Sequence, residues 1–184
     1  MITAIAIAAV VVVAAMVYLG TRPERFRIER SALISAPAEV VFPLINDFHQ
    51  WARWSPWEKL DPKMEKTFGG PTAQPGSTYA WSGNSKAGSG RITLIESKPG
   101  ELVSIKLEFF KPLPATNQGS FTLAPSGGAT RVTWSMEGKN TLMGKVMSPF
   151  MDGIVGKEFE RGLASMDTEA QAEMRRPRQG AQSA

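Results

Sequence analysis

Residues 63–137 constrain the fold most, because they contain a run of short strand patterns with no helical pattern between them. Stretches rich in glycine and proline separate these patterns and are typical of turns. Short strands that follow one another in this way predict an antiparallel meander. The predicted strands cover residues 64–68, 78–82, 91–97, 102–110, 119–124 and 130–137.

The predicted sheet has one apolar face. Val103, Ile105 and Leu107 occupy alternate positions of one strand, as Val132 and Trp134 do in another. Alternate residues of a strand point to the same side of a sheet, and the residues between these are mostly polar. The pattern predicts one face toward a core and the other toward solvent.

Further elements precede the meander. Residues 26–34 alternate between apolar and charged side chains and predict a strand. Ser35 and Pro37 come before an apolar helical pattern, which predicts a helix that is capped by Ser35 and ends near Asn46 or Asp47. Three tryptophans and a phenylalanine within residues 48–57 predict a second short helix or a compact loop against the core.

A long amphipathic helix is predicted after the meander. Apolar residues recur at spacings of three to five from Leu142 to Met166, and the pattern extends to about residue 172. Pro149 and several glycines make it a poor isolated helix, so tertiary packing must stabilise it. It is the only predicted element long enough to cover the apolar face of the sheet, and the predicted fold class is therefore α+β.

The first residues of the chain are strongly apolar. Residues 2–19 contain no charged side chain, and as a helix they span about 27 Å, close to the thickness of a bilayer core. No Lys or Arg precedes them, whereas Arg22, Arg25, Arg27 and Arg30 follow, which favours a single-pass anchor over a cleaved signal peptide or a buried core helix. The positive-inside tendency then predicts an external amino terminus and a cytoplasmic domain, with a secreted or periplasmic domain after signal cleavage as the alternative.

Composition excludes several functions. The chain has no cysteine and one histidine, which excludes disulfides, thiolate metal ligands and a thiol nucleophile, and we expect no metal or cofactor. The net charge of +4 comes from the arginines of residues 21–30 and of the tail, and the rest is nearly neutral. Nucleic-acid binding needs clustered cations, so no nucleic-acid partner is predicted. The arginines after residue 19 fit anionic lipid head groups better.

The sequence therefore divides into four parts. We predict a transmembrane helix at 1–20, a basic linker at 21–25, a folded domain at 26–174 and a disordered basic tail at 175–184. The sequence carries no signal of the oligomeric state.

Large adaptable side chains are the main functional signal. These side chains lie on predicted strands and on a predicted helix that face each other, and they predict a cavity for an apolar ligand. The alternative is that they fill a solid core. Core packing is favoured more strongly for Trp51 and Trp54, and Arg91 is a candidate polar contact at the cavity mouth. We expect Trp134→Ala to abolish ligand uptake while the fold stays intact. The candidate ligand-binding residues are Trp54, Trp57, Tyr79, Trp81, Arg91, Phe109, Trp134, Met136, Met143, Met147, Phe150 and Ile154.

No catalytic residue is predicted. His49 and Asp47 could be a base and its orienting group, but no nucleophile accompanies them in the sequence. The glycine-rich residues 83–90 lack the Gly-Lys-Ser/Thr ending of a phosphate loop and predict a flexible hairpin instead.

Several motifs follow one another along the chain: RSALISAPAEVVF from Arg30, DF at Asp47 with Trp51, WSPW from Trp54, YAWSGN from Tyr79, GGATRVTW from Gly127 and FERGL from Phe159. Their order resembles the SRPBCC superfamily (START-like proteins), in particular its polyketide cyclase/dehydrase-like branch. The resemblance covers roughly residues 26–174. It implies a helix-grip fold, in which a curved seven-stranded antiparallel sheet wraps around a long carboxy-terminal helix with a cavity between them. Members include lipid carriers, hormone binders, aromatase/cyclases and chaperone activators.

Three functions follow as hypotheses. The first is a membrane-tethered domain that binds a small hydrophobic or lipid-like ligand without chemistry. The second is a cyclase or dehydratase in which Tyr79, Arg91 or a helix carboxylate activates the substrate, as the resemblance permits. The third is a protein-interaction module without a cavity. A buried charged group in the cavity would favour the enzyme, and an entirely apolar lining would favour the carrier.

Overall fold

The computed structural model describes residues 1–140 and 142–176, apart from the side chains at positions 2, 4–6, 8, 9, 11, 12, 15, 142, 143 and 147–149. The helices of these described residues are α1 (Ile2–Thr21), α2 (Ala38–Asn46), α3 (Trp51–Trp54) and α4 (Leu142–Arg175), with 3₁₀ turns at Phe48–Gln50 and Pro56–Lys59. The strands are β1 (Arg25–Ile34), β2 (Glu65–Gly69), β3 (Thr78–Ser82), β4 (Ser89–Lys98), β5 (Leu102–Lys111), β6 (Ala115–Ser126) and β7 (Ala129–Lys139).

All seven strands form one antiparallel sheet. Strands β2 to β7 follow one another as a meander, and β1 adds to the far edge beside β7. Its register places Ile28 opposite Met136 and Ile34 opposite Thr130. The predicted antiparallel sheet with a long carboxy-terminal helix is confirmed.

The two halves of α4 differ in how they pack against the sheet. In the second half, Phe159, Leu163 and Met166 are almost completely buried against the sheet and α2. Burial of each such side chain stabilises the fold by about 2 kcal/mol. In the first half, Phe150 and Ile154 are exposed, and Met151 and Val155 are partly buried against the core. Among the side chains that the structure describes, the fully buried ones of α4 therefore lie in its second half.

Two arginines tie α4 to the rest of the domain. Arg30 of β1 pairs with Asp152 at 2.9 Å and with Glu160 at 2.8 Å. Its hydrogen bonds hold the pKa of the Asp152 carboxyl below its usual range. Arg53 of α3 pairs with Glu169 farther along the same helix at 2.7 Å. Both halves of the helix are therefore anchored by charge-assisted hydrogen bonds.

The element boundaries differ from prediction in a few places. The predicted cap Ser35 does not cap α2, because the helix begins at Ala38 after Pro37 and has no side-chain cap. The Ser35 backbone N–H donates instead to Asp167 of α4. The helix α4 extends through Arg175, and the predicted tail from position 177 onward lies outside the described residues.

The amino-terminal segment is a helix, as its sequence predicts. Arg22 directly follows this helix, and its guanidinium lies 4.2 Å from the centre of the Tyr18 ring. Within the part of the chain that the structure describes, no helix is long and apolar enough to span a membrane. Many side chains of α1 lie outside the described set, and the transmembrane anchor stays a prediction.

Candidate ligand-binding cavity

A cavity of about 390 Å³ lies between the concave face of the sheet and the first half of α4. Ile92, Ile105 and Leu107 form its floor on β4 and β5, and Met151 and Val155 face it from the helix. This volume falls in the range of small-molecule sites, and the lining is mainly apolar. The arrangement can enclose an apolar molecule of modest size.

Aromatic rings form the end of the cavity next to the solid core. The Trp134 ring stacks on Phe159 with 4.2 Å between ring centres and on Phe121 with 4.8 Å. Trp57 meets Trp134 edge to face at 5.4 Å, so the cavity ends at a packed cluster.

Six of the twelve predicted residues line the cavity together. They come from the 3₁₀ turn before β2 and from strands β3, β5 and β7, all of which direct side chains to the concave face. These residues are Trp57, Tyr79, Trp81, Phe109, Trp134 and Met136.

Four other predicted residues do not line it. Trp54 is fully buried in the core, where its indole N–H donates to the Leu44 carbonyl oxygen at 2.7 Å. Arg91 points to the outer face of β4, and its guanidinium lies 5.9 Å from the Phe110 ring centre. Phe150 and Ile154 are 62% and 58% exposed. The side chains of two further candidates, Met143 and Met147, lie outside the described residues.

The helical phase explains the difference on α4. Met151, Val155 and Phe159 recur every four residues and face the cavity, whereas Phe150 and Ile154 precede the first two by one position. One residue rotates a helix by about 100°, which turns those two side chains outward.

Several lining residues were not predicted. Strand alternation could have found Ile105 and Leu107, which share a face with Phe109. Glu58 had no sequence signal, because it lies in a 3₁₀ turn whose orientation depends on tertiary packing.

A buried carboxylate faces this cavity. The Glu58 side chain is only 8% exposed and is contacted by two partners. The Tyr79 hydroxyl donates to its Oε1 at 2.6 Å, and the Lys66 ammonium pairs with its Oε2. Burial, together with the hydrogen bond to Glu58 and the negative charge there, raises the pKa of Tyr79 well above its usual value. The phenol therefore stays protonated and donates to Glu58.

The other candidate polar groups are engaged elsewhere. Asp47 accepts from His49 Nδ1 at 2.8 Å, and the His49 ring stacks on Phe68. The α4 carboxylates pair with arginines: Asp152 with Arg30, as described above, and Glu158 with Arg161. Within residues 1–140 and 142–176, no group of three or more acidic or histidine side chains could hold a metal ion.

A second, basic cleft of about 490 Å³ adjoins the cavity and shares Ala115, Asn117 and Met151 with it. It lies where α1 leads into β1, and Arg22, Arg25 and Lys139 line it. These three cations have no salt-bridge partner in the part of the chain that the structure describes. The cleft can attract an anionic group.

The sheet, the long carboxy-terminal helix and the cavity between them define this chain as a helix-grip domain of the SRPBCC type. A family model described as polyketide cyclase / dehydrase and lipid transport matches residues 25–171, and the chain belongs to that family. No curated protein gives a sequence match.

Solved structures agree with the fold. The Zhui aromatase/cyclase from Streptomyces sp. R1128 is similar with a TM-score of 0.61 and 14% identity, over 82% of this chain and 96% of that one. A protein from Thermobifida fusca has a TM-score of 0.61 and 18% identity, over 79% and 93% of the two chains. The di-domain ARO/CYC StfQ from the steffimycin biosynthetic pathway has a TM-score of 0.64 and 8% identity, over 82% of this chain and 52% of that one.

Proposed function

We propose that this domain binds a small hydrophobic or lipid-like molecule in the cavity between the sheet and α4. The observation that carries the proposal is a partly open cavity of about 390 Å³ with a mainly apolar lining, which a solid core would not leave. The family description, which includes lipid transport, supports the same reading. An interaction module without a cavity fits this interior less well.

We also propose that residues 2–19 hold the domain at a membrane, with the amino terminus outside and the domain in the cytoplasm. The apolar sequence of α1 and the arginines that follow it support this placement. The basic cleft then lies next to anionic head groups, directly beside the cavity. A ligand dissolved in the bilayer would have a short path to its site.

A cyclase- or dehydratase-type enzyme is the second candidate. It is favoured by Glu58, a buried carboxylate in an otherwise mainly apolar cavity, since such groups occur at catalytic sites. Of the residues in the enzyme hypothesis, Tyr79 lines the cavity, whereas Arg91 and the α4 carboxylate Asp152 do not. Loss of water from a β-hydroxy ketone in the presence of the full chain, abolished in Glu58→Gln, would support the enzyme.

The carrier proposal predicts that Leu107→Trp lowers the affinity for an apolar ligand by about tenfold or more, because the larger indole fills part of the cavity. A tenfold loss of affinity corresponds to about 1.4 kcal/mol of binding free energy. The measurement is titration of the full chain in mild detergent with 1-anilinonaphthalene-8-sulfonate and with retinol, followed by ligand fluorescence.

The matched control is Lys106→Trp, which places the same side chain on the exposed outer face of β5. It is expected to bind both probes like the wild type. Equal affinities for the two variants would place the ligand outside the cavity and contradict the proposal.

A further inference from the structure

Glu58 and Tyr79 keep unused hydrogen-bond acceptor positions. Tyr79 has one hydroxyl proton, and that proton is donated to Glu58 Oε1. Lys66 occupies the other carboxylate oxygen. An ionised carboxylate has about four lone-pair positions and a phenol oxygen has two, so unused acceptor positions remain on both groups. Toward the cavity, the Glu58–Tyr79 pair offers hydrogen-bond acceptors and no donor.

These acceptors lie among aromatic rings in a mainly apolar cavity. The Tyr79 ring stacks on Phe68 with 5.2 Å between ring centres and lies next to Trp81. Glu58 and Tyr79 both line the cavity. The Glu58 side chain is 8% exposed, and Tyr79 is 4% exposed. In such a low-dielectric site a hydrogen bond to a charged group is stronger than in water.

We propose that the bound ligand is an apolar molecule carrying a neutral hydrogen-bond donor, such as a hydroxyl group, which the Glu58–Tyr79 pair accepts inside the cavity. This inference rests on the proposed carrier function and specifies its ligand class. An apolar molecule without a donor also fits the cavity, but it cannot form the hydrogen bond to Glu58 or Tyr79. If the Glu58–Tyr79 contact only stabilised the fold, the protein would bind ligands with and without a donor equally well.

The test compares two probes of nearly equal size, 1-naphthol and 1-methoxynaphthalene, of which only the first has a donor. The full chain in mild detergent is titrated with each probe by calorimetry, and the signal of protein-free detergent is subtracted. We expect the wild type to bind 1-naphthol about tenfold more tightly or better. In Glu58→Gln the preference is expected to fall to about threefold or less, because the carboxylate charge is gone.

The matched control is Glu96→Gln, the same change on an exposed glutamate of β4 that does not line the cavity. It is expected to keep the wild-type preference. Glu58→Met replaces Glu58→Gln if the latter does not fold, with the same expected loss.

Three results would overturn the inference. If the wild type binds both probes with equal affinity, the donor requirement is wrong while the carrier function stands. If both Glu58 variants keep the full preference, the acceptors lie elsewhere. If neither probe binds the wild type, the proposed function fails together with the inference.

Discussion

Trp134→Ala is expected to lower the free energy of unfolding by about 3 to 5 kcal/mol, the range for removal of a buried tryptophan. The indole is 4% exposed and stacks on both Phe121 and Phe159, so its loss leaves a void that joins the cavity to the core. This stacking changes the expectation from sequence, in which the substitution affected ligand uptake alone. Chemical denaturation followed by circular dichroism measures the effect.

Trp134→Phe is the control, since it keeps a ring between the same two neighbours. We expect it to lose clearly less stability than the alanine variant. A Trp134→Ala protein as stable as the wild type would show that the stack contributes little to folding.

Gly90→Ala is expected to destabilise the domain by about 3 kcal/mol or more, at the upper end of the range for overpacking. A Cβ atom at this position would overlap the Trp81 indole and the carbonyl oxygen of Glu108 on the neighbouring strand. The backbone of β5 cannot yield without breaking the sheet, and displacement of Trp81 would deform the cavity wall. Thermal unfolding and probe binding should therefore both be impaired.

Gly153→Ala makes the same change where a Cβ atom meets nothing within 4 Å. It lies inside α4, where alanine is favoured over glycine by about 1 kcal/mol, so the variant should be slightly more stable than the wild type. If both variants had similar stability, the close approach at Gly90 would not be a real constraint.

The sheet was predictable because its signals are local. Turn residues and alternation place the strand at Thr78–Ser82 correctly and the others to within a few residues, as local patterns dictate. The same alternation brings Trp81, Phe109 and Trp134 to the concave face. Their distance from the helix is fixed by packing, which the sequence does not encode in any short pattern.

The rest of the cavity depends on contacts between distant segments. The inward face of α4 is set by packing of Phe159 and Leu163 against distant segments, and Arg30 of β1 reaches Asp152 and Glu160 of α4 across more than a hundred residues of sequence. A helix with exposed apolar residues on more than one face has no unique inward side by periodicity alone. The meeting of Glu58 with Tyr79 is likewise a tertiary contact between a 3₁₀ turn and a strand.

The most direct test of the central claim is native mass spectrometry of the full chain, extracted from its host in mild detergent and compared with Leu107→Trp. We predict a copurifying apolar molecule bound one to one to the wild type and depleted in the variant, in which the cavity is partly filled. An unliganded wild-type mass, with no uptake from a panel of lipids and quinones, would contradict the account and favour the enzyme or an interaction module.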